Sequence, residues 1–256
     1  MILAIDIGNT NIVLGIINKE TGEILFTART STDRTFSSDQ YGVQFKNIIE
    51  LYNYDVKNID GCIISSVVPP VLNAVEGGVK RLTGLDSIIV GPGVKTGLNI
   101  LMDNPAQVGS DLIVNAVSAL EDFKQPIIII DMGTATTISV VDDKKNYIGG
   151  CIMPGIKVSL DAISQRAAQL PGISLVNPKK TIGKNTIECM RSGVIYGNAA
   201  MVDGMIERIE EELGQKCTVI ATGGISGLII PYCKKDIIYD ENLLLRGLYI
   251  IYKKNV

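Results

Sequence analysis

Two kinds of block recur along the chain: short apolar runs, and polar clusters that stop them. Met1 to Ile5 is an apolar, β-branched run, short enough for a buried strand. It ends in Asp6, Gly8, Asn9 and Thr10 before Ile12 to Ile17 resumes an apolar run. The same block returns as Ile127 to Ile130, then Asp131-Met132-Gly133-Thr134-Ala135-Thr136-Thr137, then Ile138 to Val141. An offset of 125 carries Asp6 onto Asp131, Gly8 onto Gly133 and Asn9 onto Thr134. That offset is close to half of the 256 residues, so the pattern predicts a duplicated domain rather than a short solenoid repeat.

Between the two copies, Glu23 to Thr30 extends the first sheet as an antiparallel strand, and Thr30 to Gln40 is polar enough for a mobile loop. Apolar spacing predicts helices over Tyr41–Tyr52 and Val71–Leu82, and strands over Gly61–Val68 and Ser87–Val90. Pro105 stands near the start of a helix that runs to about Glu121. In the second half, Tyr147 to Cys151 carries Gly149-Gly150, Pro154-Gly155 leads into a helix from about Ile156 to Ala168, and 172–185 reads as loop with Lys179, Lys180 and Lys184, which are usually solvated although one could meet a phosphate. Thr186 to Glu212 reads as one or two long helices in which Gly193, Gly197 and Gly204 permit close packing. Thr218 to Ala221 is a strand running into Thr222-Gly223-Gly224, followed by a short strand at Ile237–Tyr239 and an apolar closing helix from Leu243 to Tyr252. Strands first and helices after, in each half, predict two mixed α/β domains, divided at 1–115 and 116–256.

The two Asp-Gly turns carry the first candidate chemistry. A tight turn between strands gathers backbone N–H groups and small polar side chains, and such a nest can cradle a phosphate. Asp6 tolerates a phosphate only with a divalent cation such as hydrated Mg²⁺ between them. An ordinary Gly/Asn hairpin explains the first turn equally well. With the second copy, two such turns facing across a cleft would grip a polyphosphate from both sides. Asp111, just after Gly109 and Ser110 near a helix start, could accept a proton from a substrate hydroxyl, although a first-turn acid is the plainer explanation of its position. Glycines at the Thr222-Gly223-Gly224 junction let backbone press against a flat ring or a phosphate.

Composition narrows the field. The chain has no histidine, so Ser-His-Asp or Cys-His catalysis and histidine-held zinc are excluded, and any general base is a carboxylate, lysine, tyrosine or cysteine. A net charge of −3 without a dense basic run gives no footprint for nucleic acid. No apolar stretch reaches membrane-spanning length and no leader pattern precedes Ile2, so a cytoplasmic protein is expected. The five cysteines are scattered without a CxxC and read as reduced, mostly buried thiols.

Taken together, Ile-Asp-Ile-Gly-Asn-Thr-Asn at 5–11, Asp-Met-Gly-Thr-Ala-Thr-Thr at 131–137, Gly-Gly-Cys-Ile-Met-Pro-Gly-Ile at 149–156, Ile182-Gly183-Lys184-Asn185-Thr186 with Ser192-Gly193, and Ala-Thr-Gly-Gly at 221–224 resemble the type III pantothenate kinases. These belong to the acetate/sugar kinase, Hsp70 and actin superfamily. The resemblance implies an α/β fold of duplicated actin-like (ribonuclease H-like) domains, with mixed sheets flanked by helices and an interdomain cleft. It implies ATP-dependent phosphorylation of pantothenate in a homodimer with the active site at the interface, and neither a nucleic acid nor a membrane partner. Its implied ATP site is Asp6, Ile7, Gly8, Asn9, Thr10, Asn11, Ile12 and Val13, with Thr134 a further phosphate contact and Gly223 and Gly224 near the adenine. Asp6 would organise Mg²⁺ through water, and Asp131 a monovalent cation, K⁺ or NH₄⁺. Met102, Gly109, Ser110, Asp111, Leu112 and Thr186 fall at the acceptor's positions, with Asp111 as base. Two positions depart from the family pattern: Leu112 stands where an arginine is usual, and Met102 where many members have tyrosine. They leave open a kinase of the same fold acting on another small hydroxy acid, and, more distantly, a non-catalytic regulatory or accessory protein on this scaffold.

Overall fold

The computed structural model describes residues 1–256, which divide into two compact units. The first comprises Met1–Leu98, Asp103–Glu121 and Asn242–Val256. The second comprises Asn99–Met102 and Asp122–Glu241.

The first unit holds a five-stranded sheet. Strands β1 (Ile2–Ile7), β2 (Asn11–Ile17) and β3 (Ile24–Ser31) form an antiparallel meander, while β4 (Gly61–Ser66) and β5 (Ser87–Ile89) lie parallel to β1 on its other side, in the order β3-β2-β1-β4-β5. Every residue of β1 is buried, as expected of a central strand covered on both faces. Side chains alternate, so Leu3, Ile5 and Ile7 join the core formed with Tyr41, Phe45 and Ile49 of α1 (Ser38–Leu51) and Val71, Val75 and Val79 of α2 (Pro69–Thr83). Ile2 and Ala4 face the opposite way, toward Val114 and Val117 of α3 (Ser110–Asp122) and Leu245, Leu248 and Ile251 of α7 (Leu243–Asn255).

The second unit repeats the plan. Its strands are β6 (Asn99–Ile100), β7 (Ile127–Met132), β8 (Ala135–Val141), β9 (Asn146–Pro154), β10 (Thr218–Thr222) and β11 (Ile238–Tyr239), in the order β11-β10-β7-β8-β9-β6. Without the edge strand β6, this is the first sheet again: an antiparallel meander, then two strands parallel to its first member. One face of β7 packs through Ile128, Ile130 and Met132 on α4 (Ile156–Arg166), α5 (Thr186–Leu213) and the short α6 (Ser226–Ile229). No helix is long and apolar enough to cross a membrane.

Several expectations shift. The division at 115/116 falls inside α3, which stays with the first unit, and the closing helix joins that unit too. The reason is apolar: α7 fills the face of β1 that α3 leaves open. The offset of 125 holds for β1 and β7, but β2 and β8 are offset by 124, because the second turn is one residue shorter. Pro105 opens a 3-10 turn, Pro105–Gln107, and the helix proper begins at Ser110. Of the polar stretch expected as a mobile loop over 30–40, residues 30–31 close β3 and 38–40 open α1, whose start is fixed by a Ser37–Gln40 capping box, and 32–37 connect the two. Gly193 and Gly197 do not mediate packing within the chain: an added Cβ would find no atom within 4 Å. Of the cysteines only Cys62 is buried, Cys189 is exposed and the other three are half-buried. Burial pushes the Cys62 thiol to about 11 and the Cys233 thiol to about 12, so both are protonated at neutral pH.

The contact between α3 and α7 is tight at Gly247, where an added Cβ would strike the Val114 carbonyl oxygen. Gly247→Ala should therefore destabilise the chain by about 1–3 kcal/mol, the usual range for overpacking a core, read as a lower urea midpoint.

Candidate active site

Asp6 is the penultimate residue of β1 and continues the face of Ile2 and Ala4, so it enters the protein 8% exposed. Its neighbours in register are Val13 on β2 and Ser65 on β4. The chain then turns through Gly8, Asn9 and Thr10, closed by Gly8 N–H donating to Asn11 O at 3.0 Å, with Asn9 and Thr10 exposed. Ile7 and Ile12 flank the turn as fully buried anchors, and Val13 is half-buried. A single buried carboxylate beside an exposed polar turn fits one outer-sphere or monodentate contact to Mg²⁺, a hard cation that keeps most of its waters.

Two residues of the segment after β3, Thr32 and Arg34, complete this turn. Thr32 N–H donates to Thr10 O at 3.0 Å, and its hydroxyl donates to Gly8 O at 2.6 Å. Arg34 Nη2 donates to Asn9 Oδ1 at 3.4 Å. The one available signal was the Ser37-x-x-Gln40 helix start, which shortens the loop.

The same end of the first sheet holds Asp111. Ser65, in register with Asp6, has its hydroxyl 2.9 Å from that of Ser110, which also donates to Ser66 O at 2.9 Å and accepts from Ser66 N–H at 3.1 Å. The first residue of α3 is thereby pinned to the end of β4, and Asp111 follows in the first turn. Burial raises the Asp111 carboxyl above its usual 3.8, against the backbone N–H groups of Leu112 and of Asp111 itself, which favour the ionised form. Gly109 gives that carboxylate room, since a Cβ there would strike Asp111 Oδ1. Leu112 is half-buried and contributes its N–H to Asp111 Oδ1 at 2.8 Å.

In the second unit Asp131 occupies the place of Asp6, with Thr137 on β8 and Thr222 on β10 as its register neighbours on the same face. The turn closes one residue sooner, Gly133 N–H to Ala135 O at 3.0 Å, and Gly155 N–H donates to Thr134 O at 3.1 Å. Thr134 thus corresponds to Thr10, not to Asn9. After β10, Gly223 adopts φ +94° and passes so close to β7 that a Cβ would lie 2.6 Å from Asp131 Oδ1. Ser226 donates through its N–H to Gly223 O at 3.2 Å and through its hydroxyl to Thr222 O, fixing the turn that contains Gly224. One carboxylate with two threonine neighbours is an oxygen donor set suited to a hard monovalent cation. No cluster of three or more acidic or cysteine ligands exists anywhere in the chain.

Asp6 to Val13 and Gly109 to Leu112 thus belong to the first unit, whereas Asp131, Thr134, Gly223 and Gly224 belong to the second. Met102 also belongs to the second unit, 37% exposed, with its sulfur 3.6 Å from where a Cβ on Gly149 would stand. Thr186 is exposed at the start of α5, just after the capping residue Asn185.

Two units sharing one 3-2-1-4-5 sheet order, each with an aspartate at the end of its central strand, define the fold class of the actin-like kinases. Solved structures carry the same fold at low identity. The (R)-2-hydroxyglutaryl-CoA dehydratase component A of Acidaminococcus fermentans matches with a TM-score of 0.56 and 14% identity over 98% of this chain and 96% of its own. The ethanolamine utilization protein EutJ of Carboxydothermus hydrogenoformans matches with a TM-score of 0.54 and 17% identity over 98% of this chain and 89% of its own. The family model for type III pantothenate kinase matches residues 2–208. Proteins of that name from an Exiguobacterium strain and from Bacillus cytotoxicus are 47% and 43% identical over 100% of this chain, covering 99% and 97% of their own lengths. The chain belongs to the type III pantothenate kinase family.

Ser110→Ala removes the hydroxyl that joins α3 to β4 at three points. It should lower stability by about 1–3 kcal/mol in urea titration, the range for leaving partly buried polar partners unpaired.

Proposed function

We propose that the chain transfers the γ-phosphoryl group of ATP to the primary hydroxyl of pantothenate, the first committed chemistry toward coenzyme A. Family membership supports the substrate pair, and the residue-level roles rest on the geometry of the two strand ends. The β1–β2 turn, Asp6 to Val13, receives the phosphates, with Thr134 a further contact and Gly223 and Gly224 beside the adenine. Mg²⁺ near Asp6 and K⁺ or NH₄⁺ near Asp131 would offset the negative charge of the phosphates. Gly109, Ser110, Asp111, Leu112, Met102 and Thr186 serve the acceptor.

The observation that carries the mechanism is the half-buried Asp111 carboxylate, held to the end of β4 through Ser110 on the same face of the sheet as Asp6. Its raised proton affinity makes it a better base than a solvated aspartate. The acceptor hydroxyl gives its proton to Asp111 as its oxygen bonds to the γ-phosphorus, and the bond from that phosphorus to the β-γ bridging oxygen breaks, releasing ADP. Positioning and charge neutralisation dominate such transfers.

Leu112 supplies no cation for the pantothenate carboxylate. Losing one charge-assisted contact of that kind weakens binding about ten- to a hundred-fold. The same leucine favours a second reading, a kinase of this fold whose acceptor is another small hydroxy acid.

We also propose a homodimer. Helix α5 exposes Gly193, Gly197 and Ala200 along one side, and Ile152, Ile182 and Ile187 of the same unit are exposed apolar residues. A second copy covering this side would bring Thr186 to its neighbour's acceptor.

ADP release with pantothenate and a panel of hydroxy acids tests the activity: turnover with pantothenate is expected, and turnover only with another acceptor selects the second reading. Asp111→Asn should lower kcat about 10²- to 10⁴-fold with ATP binding unchanged. The base must be ionised, so the wild-type rate should fall as pH drops through a pKa above 3.8. Folding stability has the opposite slope: a carboxyl whose folded pKa is raised loses stability as pH rises through it, a component absent from Asp111→Asn. In size-exclusion chromatography the wild type should elute as a dimer and Gly197→Arg as a folded monomer.

A further inference from the structure

Residues 32–37, between β3 and α1, lie against the β1–β2 turn and are held from three directions. Thr32 bonds to Gly8 O and Thr10 O, as described. Asp33 Oδ1 accepts from Thr35 N–H at 2.8 Å and from Thr35 Oγ1 at 2.6 Å. The fully buried Tyr41 donates its hydroxyl to Asp33 O at 2.6 Å and accepts from Asp33 N–H at 3.1 Å. Arg34, between these fixed points, is exposed and makes no ion pair; its hydrogen bond is to Asn9 in the turn.

The arrangement changes what the turn offers an anion. The carbonyl oxygens of Gly8 and Thr10 are taken by Thr32, and that of Asn11 by Gly8 N–H, so the acceptors that would repel a phosphate are engaged. Asn9 spends its side-chain oxygen on Arg34, which leaves its two amide donors for a ligand. The second unit solves the same corner differently: Gly155 N–H takes the Thr134 carbonyl, as Thr32 N–H takes that of Thr10, and Gly155 is itself the N-cap of α4. Where one half has a helix N-terminus, the other has a loop with a guanidinium.

We infer that Arg34 is a nucleotide-binding residue that meets the terminal phosphate of ATP at the β1–β2 turn, and that Thr32 is its positioning residue. The inference rests on the reading that this turn receives the nucleotide's phosphates. A guanidinium suits that place because it bonds two phosphate oxygens at once and stays charged at all working pH values.

Equilibrium titration of the full chain with ATP and with ADP, each with magnesium and without acceptor, tests it on the wild type, Arg34→Gln, Arg34→Lys and Thr32→Val. Arg34→Gln should weaken ATP binding about 10- to 100-fold and ADP binding less than about threefold, with Arg34→Lys intermediate. Thr32→Val should weaken both nucleotides, since it frees Gly8 O toward the phosphates. Wild type that binds ATP alongside an Arg34→Gln variant that binds it equally well overturns the assignment. Equal losses for ATP and ADP overturn the placement at the terminal phosphate. Thr32→Val with wild-type affinities removes the positioning role. Wild type that fails to bind ATP sinks the reading of the turn instead.

Discussion

Each unit depends on one strand that is buried on both faces and yet ends in a charge. β1 and β7 run antiparallel to one neighbour and parallel to the other, and their isoleucines fill the space between sheet and helices. A carboxylate in the middle of such a strand would be stripped of water with nothing to replace it. At the last turn of the pleat it meets hydroxyl-bearing neighbours instead: Ser65 beside Asp6, Thr137 and Thr222 beside Asp131. Each sheet thus carries its buried charge at a polar corner, beside a tight turn.

From this shared plan the two halves diverge by small changes in the turns. The first turn keeps a residue that the second lacks, and is braced by a side-chain hydroxyl and a guanidinium from the loop after β3. The second is braced by a backbone N–H that belongs to the next helix, and Gly223 presses its backbone against the aspartate. The sheets need not change for the corners to take up different ligands. That division suits a kinase, which holds two different substrates.

The strands were legible because burial on both faces leaves unbroken β-branched runs such as Ile127 to Ile130, which few other structures produce. The duplication was legible for the same reason, but only to within one residue, since a deletion in a polar turn leaves no hydrophobic trace; hence Thr134 aligned with Asn9 instead of Thr10. Asp111 was legible as a helix-start acid, while its link to β4 through Ser110 was not, because hydrogen bonds between residues 44 and 45 apart have no local signature. The polar composition of 30–40 hid an ordered segment, since its order comes from hydrogen bonds rather than apolar packing. The small size of Gly193 and Gly197 marks them as packing sites, and size does not say whether the neighbour is in the same chain. An apolar helix such as α7 announces that it needs a partner without saying which.

That last helix has a consequence for biogenesis. The ribosome makes Ile2, Ala4 and Ile63 before part of their cover, residues 243–256, which follows nearly the whole second unit in the sequence. Until those residues emerge, that face of the first sheet has only α3 to cover it. The second unit ends at Glu241, so all of its residues are made before those that complete the first.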